Sequence, residues 1–184
     1  MPHIALPPSL PGILSLFAYR PETAGPLNAL AETLLRGPSS LTRGERELIA
    51  AFVSKRNECV FCNASHAAFA RAQLPNGADV VRAVCEDYRS APIGEKLRAL
   101  LAIAAQVQTS GRAVTVEAVE AARAEGASDQ EIHDTVLIAA AFCMFNRYVD
   151  GLGTLAPPTR EDYAPMGQQI VEFGYAAATP PIPD

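Results

Sequence analysis

The segment Cys59-Val-Phe-Cys62-Asn-Ala-Ser-His66 places two thiols and an imidazole within eight residues. In a helix, at about 100° per residue, positions 59, 62 and 66 fall within roughly 60° of one another. Thiols and a titratable ring on one face make either a redox site or a metal site. The reactive form of cysteine is the thiolate, and an unperturbed thiol ionises only near about pH 8.5, so chemistry at neutral pH needs an activating device. Two such devices are local. Cys59 stands where a helix is predicted to start, and unpaired amides and the macrodipole there favour an anion. Cys62 lies in the first turn, with His66 four residues on and able to exchange a proton with it.

A third device comes from the element before. Thr42-Arg-Gly-Glu45 is a capping-box sequence, in which threonine and glutamate satisfy each other's backbone amides and open a helix. That helix is predicted to run to about Arg56, with Leu48, Ile49, Phe52 and Val53 as its apolar stripe. Glu47 points away from the stripe, beside Ala50, Ala51 and Ser54, which are small enough for another helix to approach closely. A break at Asn57-Glu58 lets the cysteine helix, extending to about Gln73, fold back and bring Glu47 near His66. A carboxylate that orients an imidazole, which in turn deprotonates a thiol, is the general form of an activated nucleophile.

The remaining chain reads as further helices. Residues 1–12 hold four prolines and are expected to form an extended arm along a neighbouring subunit. Ile13–Tyr19 is short and apolar. Gly25-Pro26 opens a helix over Leu27–Arg36, stopped by Gly37-Pro38. After a Pro75-Asn-Gly77 turn, a helix runs to Cys85 or Tyr88. Another follows Pro92-Ile-Gly-Glu95, with Leu97, Leu100, Leu101, Ala104 and Val107 on one side, and ends at Ser110-Gly111. Thr115–Ala124 is helical and closed by Gly126. Ser128-Asp-Gln-Glu131 is a second capping box, opening a helix to about Asp150. Its stripe is Ile132, Val136, Ala139, Cys143 and Asn146. A last helix spans Thr159 to about Phe173, before an irregular Thr179–Asp184 tail. The best strand candidate, Arg112–Val116, is too short to matter, so the fold class is all-α.

Glu47, eleven residues, Cys59-x-x-Cys62, three residues and His66 together resemble the signature of the alkylhydroperoxidase D family within the carboxymuconolactone decarboxylase superfamily. Phe142-Cys-Met-Phe-Asn146-Arg147 followed by Gly151-Leu-Gly153 looks like that superfamily's last core helix. The nearest branch is the peroxidase-related one. The resemblance implies a bundle of about seven to nine helices that forms homo-oligomers. The family-like core spans 40–153, with an N-terminal arm and helix at 1–39 and a C-terminal helix and tail at 154–184. Carried over by residue, Cys62 is the peroxidatic cysteine, oxidised to a sulfenic acid. Cys59 is the resolving partner that closes a Cys59–Cys62 disulfide, and His66 and Glu47 are the proton relay. A hydroperoxide is the implied substrate, and a lipoyl-bearing or thioredoxin-like protein the implied thiol reductant. No cofactor is called for. Alkylhydroperoxidases proper often have a histidine directly before the second cysteine; Phe61 stands there, so part of their relay is absent.

Other readings bear on the same residues. Two cysteines, a histidine and a glutamate could supply four zinc ligands, although no second CxxC or HxxxH accompanies them, and a redox-sensing protein without turnover would use the same thiols. Carboxymuconolactone decarboxylase-type chemistry does not need the pair. Cys85 and Cys143 read as small core residues, and His3 and His133 as surface ones. Asn146 continues a buried stripe and needs partners there; with Arg147 it is expected to bridge helices or subunits. A net charge of −5 gives no electrostatic footprint for nucleic acid. No apolar run of about 18 residues marks a membrane span. The N-terminus lacks the charged-then-apolar pattern of a secretory signal, which points to the cytoplasm, where thiols stay reduced.

Overall fold

The computed structural model describes residues 1–175; the expected Thr179–Asp184 tail lies outside them. Among the described residues there are nine α-helices and no strand: α1 (Gly12–Tyr19), α2 (Pro21–Arg36), α3 (Arg43–Arg56), α4 (Val60–Gln73), α5 (Gly77–Asp87), α6 (Glu95–Thr109), α7 (Val116–Ala124), α8 (Asp129–Gly151) and α9 (Ala164–Phe173). The strand candidate Arg112–Val116 is instead a 3₁₀ turn at Gly111–Ala113 and the first residue of α7.

The central element is α3, every residue of which from Arg46 to Ser54 is buried. The stripe of Leu48, Ile49, Phe52 and Val53 is therefore only part of its packed surface. On the side of the small residues lies α4, close enough for Asn63 Nδ2 to donate to the Ala51 carbonyl at 3.0 Å. α6 and α8 pack against α3 as well. Each fully buried aliphatic side chain in such a core contributes about 1.5–3 kcal/mol relative to exposure.

Both capping boxes form. Thr42 Oγ1 accepts from the Glu45 amide at 3.2 Å, and Glu45 Oε2 from the Thr42 amide at 2.8 Å. Ser128 and Glu131 repeat the exchange at 3.2 and 2.8 Å. The second box does more than cap α8. Glu131 Oε1 also accepts from Lys96 Nζ at 2.7 Å, tying α8 to α6. Burial pushes the Glu131 carboxyl upward, but the Lys96 ammonium and the Ser128 amide outweigh it and hold it below the usual carboxylate range. A depressed carboxyl contributes stability above its unfolded pKa of about 4.3, and that contribution is lost as pH falls through the folded value. Urea midpoints of the wild type and Glu131→Gln should thus differ at pH 7 and converge on acidification below about pH 4. A gap that persisted in acid would separate Glu131 from the acid sensitivity.

Four expectations about helix bounds and burial are corrected, and the arm is seen to hydrogen-bond to its own chain. α2 begins at Pro21, whose fixed φ suits a first helical position, and Pro26 lies inside the helix. Burial of Ala24, Asn28, Ala31 and Leu34 offsets the amide that Pro26 lacks. The proline-rich arm lies along its own chain: the His3 amide donates to the Leu152 carbonyl at 3.0 Å and the Gly12 amide to Leu155 at 2.8 Å. The buried face of α8 is Glu131, Thr135, Ile138, Phe142, Phe145 and Val149, flanked by Ala139 and Asn146. Two aromatic rings, packed edge to face at 5.6 Å, rotate the helix so that Ile132, Val136 and Cys143 are only half-buried. Cys85 is half-buried too, so both outlying cysteines pack against the edge of the core rather than within it. The last helix is shorter than expected, with a 3₁₀ turn at Glu161–Tyr163 before α9.

Candidate active site

The turn between α3 and α4 carries the first cysteine. Asn57 caps α3, and Glu58 takes a left-handed φ of 59°, which reverses the chain so that the Cys59 amide returns to the Ser54 carbonyl at 3.0 Å. Polar side chains fix this turn from outside. Asn57 Nδ2 donates to Asn146 Oδ1 at 2.8 Å, Asn57 Oδ1 accepts from Gln108 Nε2 at 2.8 Å, and Asn146 Nδ2 donates to Ser54 Oγ at 3.0 Å. Asn146 therefore links α8 to α3 and its C-terminal turn, as its place on a buried stripe required. Arg147 is exposed and, among the described residues, donates within its own helix, to the Cys143 carbonyl at 2.8 Å.

Reversal of the chain at Glu58 lays α4 antiparallel on α3. His66 Nδ1 then meets Glu47 Oε2 at 2.6 Å, with the carboxylate side chain 1% and the imidazole 12% exposed. A carboxylate only accepts, so Nδ1 carries the proton and Nε2 is the basic nitrogen. Rings enclose the imidazole: Phe142 edge-on at 4.5 Å and Phe69 at 5.1 Å. Tyr175 is a further member that no motif announced. Its hydroxyl donates to Glu47 Oε1 at 2.7 Å and lies 3.4 Å from His66 Nδ1. Burial, then the Glu47 charge, push this phenol well above its ordinary range, so it stays a donor.

Cys59 is the N-cap of α4, and Cys62 lies in the first turn, one turn before His66. All four cysteines are free thiols, and Cys59 and Cys62 are both buried. The expected activation of Cys59 by the helix start is not what the structure holds, for its side chain makes no capping hydrogen bond. The hydrogen bond with Cys62, together with burial, pushes the Cys59 thiol far upward. Phe61 is buried between Tyr163, at 6.0 Å between ring centres, and the backbone of Gly12.

A cavity of about 410 Å³ opens beside the pair, with Cys59, Lys55, Asn63, Pro157, Arg160 and Tyr163 in its wall. Cys62 does not line it. Asn63, Lys55 and Arg160 are shared with a wider groove of about 920 Å³ along α4, α5 and α9. Among the described residues no three histidine, cysteine or acidic side chains are grouped to hold a metal ion. Nor is any helix there long and apolar enough to cross a membrane.

Residues 21–81, from the start of α2 into α5, match the model of the carboxymuconolactone decarboxylase family, and the matched stretch contains Glu47, Cys59, Cys62 and His66. No curated protein matches significantly. Solved structures do. An uncharacterized peroxidase-related protein from Silicibacter sp. TM1040 is 27% identical over 84% of this chain and 78% of its own, with a TM-score of 0.74. An uncharacterized peroxidase-related protein from Ralstonia eutropha JMP134, described as an alkylhydroperoxidase AhpD core, is 28% identical over 86% and 82%, with a TM-score of 0.75. A protein of unknown function from Agrobacterium tumefaciens, suggested to be an AhpD antioxidant defence protein, shares the fold at 23% identity, over 86% and 100%, with a TM-score of 0.69.

Proposed function

We propose that the chain, which matches the carboxymuconolactone decarboxylase family model over residues 21–81 and resembles an alkylhydroperoxidase AhpD core in fold, is an alkylhydroperoxidase D-like, thiol-dependent antioxidant oxidoreductase that reduces hydroperoxides through a Cys59–Cys62 dithiol/disulfide cycle. The observation that carries this is the 2.6 Å contact of Glu47 with His66, one helical turn from Cys62. His66 Nε2 takes the Cys62 proton, and Glu47 balances the imidazolium that results. The Cys62 thiolate attacks the outer oxygen of the hydroperoxide; the O–O bond breaks, the alcohol leaves after protonation and Cys62 becomes a sulfenic acid. The Cys59 sulfur then attacks the sulfenic sulfur, its proton joining the departing hydroxide, so that water leaves and the disulfide closes. A dithiol reductant, lipoyl-bearing or thioredoxin-like, returns two electrons by thiol–disulfide exchange. The cavity at Cys59, with Lys55 and Arg160 in its wall, suits the approach of a donor thiolate.

The cycle requires a reducing compartment, which the cytoplasm supplies. Homo-oligomer formation would cover apolar side chains that α8 leaves exposed, Leu137 and Met144. Incubation of the reduced protein with cumene hydroperoxide should consume two thiols per chain, restored by a dithiol such as dihydrolipoamide. Free thiols unchanged after exposure to the hydroperoxide would reject the proposal.

A further inference from the structure

Tyr175 reaches Glu47 across 128 positions of sequence, and several contacts deliver it there. Arg36 on α2 donates through Nη1 to the carbonyls of Ile170 and Val171 at 2.9 and 3.2 Å, holding the C-terminal turn of α9. Its Nε pairs with Glu32 Oε1 at 3.1 Å. Glu32 Oε2 in turn accepts from the Tyr175 amide at 2.7 Å. Between them stands Gly174 at φ +78°, where a Cβ would sit 2.5 Å from Glu32 Oε2. Only glycine suits both the left-handed backbone and the close approach. The chain therefore turns sharply after α9 and points the tyrosine inward, its ring packed near-parallel to His66 at 6.2 Å and edge-on to Phe69 at 6.3 Å.

A carboxylate held by one partner is free to rotate about its last bond and present either oxygen. Glu47 is not free. Oε1 is taken by Tyr175 and Oε2 by His66, and α3 leaves it no water to turn toward, since its side chain is 1% exposed.

We propose that Tyr175 is a positioning residue for the Glu47–His66 pair, its hydroxyl turning the Glu47 carboxylate so that Oε2 faces Nδ1 and His66 presents Nε2 to the proton of Cys62. This rests on the peroxidase reading for its use in turnover, but not for its geometry. The charged and titratable groups facing Tyr175 are Glu47, His66, Glu32 and Arg36. A donor on Glu47 also draws charge away from the oxygen that His66 feels. Removing it leaves the whole carboxylate charge to the imidazole, which then holds its proton more tightly.

The test is the titration of the His66 ring, followed by NMR on the reduced full chain, in wild type, Tyr175→Phe and Glu32→Ala. Tyr175→Phe keeps the ring and removes the donor. The His66 midpoint is expected to move upward by about half a pH unit or more in Tyr175→Phe, and less, in the same direction, in Glu32→Ala, which loosens the mount from the surface side. Thiol loss at saturating cumene hydroperoxide is expected to slow by about tenfold in Tyr175→Phe, with the half-saturating concentration unchanged. A His66 midpoint identical to wild type in folded Tyr175→Phe overturns the proposal. If that variant does not fold, Glu32→Ala decides in the same way. If the wild type loses no thiols while the midpoint still moves, Tyr175 keeps its role and the peroxidase reading falls.

Discussion

Cys62→Ser is expected to abolish hydroperoxide turnover, by more than about 10³-fold, while Cys59→Ser keeps the first oxidation and loses the second. A hydroxyl at position 62 offers the relay no group that ionises near neutrality, so no nucleophile forms. A hydroxyl at position 59 leaves the Cys62 sulfenic acid without the thiol that would condense with it. A dimedone-type probe should accordingly label Cys62 in the Cys59→Ser protein, read by mass spectrometry, and nothing in Cys62→Ser. The opposite pattern is physically meaningful, because the two thiols are neighbours and both are buried. Label on Cys59 in the Cys62→Ser protein would exchange the two roles. The place of Cys62 one turn before His66 argues for the first outcome, since the relay then serves Cys62, while its neighbour and burial push the Cys59 thiol upward.

The second large effect belongs to Glu47. Glu47→Gln preserves shape but removes the charge that balances an imidazolium, and thiol oxidation should slow by roughly 10²–10⁴-fold, the range ascribed to general acid–base groups. Glu47→Ala has a further consequence. It strands the Tyr175 hydroxyl and His66 Nδ1 in a buried site, at about 1–3 kcal/mol for each unpaired group, and leaves a void in the most tightly packed helix of the fold. Urea denaturation should place Glu47→Ala well below Glu47→Gln in stability. Equal stabilities would mean that the network contributes little beyond packing, and equal thiol kinetics in wild type and Glu47→Gln would remove the relay from the mechanism.

What the sequence disclosed, and what it hid, follow from the range of the forces involved. Capping boxes act over three residues and need no partner, so Thr42 and Ser128 marked the starts of α3 and α8 correctly. The juxtaposition of Glu47 with His66 was readable because one short turn separates the helices, and the small residues at 50, 51 and 54 advertised a close contact. The face of α8 was harder to read. Ile132, Val136 and Cys143 have the right spacing for a core stripe, but Phe142 and Phe145 bury more area and set the rotation. Cys59 illustrates a different limit. A helix start favours an anion in general, but here the adjacent sulfur and complete burial dominate, and neither is visible in a linear pattern. Tyr175 had no local signal, for it depends on where α9 docks and on a clasp from α2. The glycine before it was a weak pointer, legible only once Glu32 was seen on the other side.

Gly12 and Phe61 have a bearing on ancestry. The Gly12 backbone is at φ +51°, and a Cβ there would fall 2.2 Å from the Phe61 ring, so the arm and the cysteine helix interlock at this pair. Position 12 cannot take a larger residue while Phe61 stays. Any side chain at 12 would meet the ring, and a residue at 61 stands buried between Gly12 and Tyr163. The two sites are therefore expected to co-vary, a larger residue at 12 requiring a smaller one at 61.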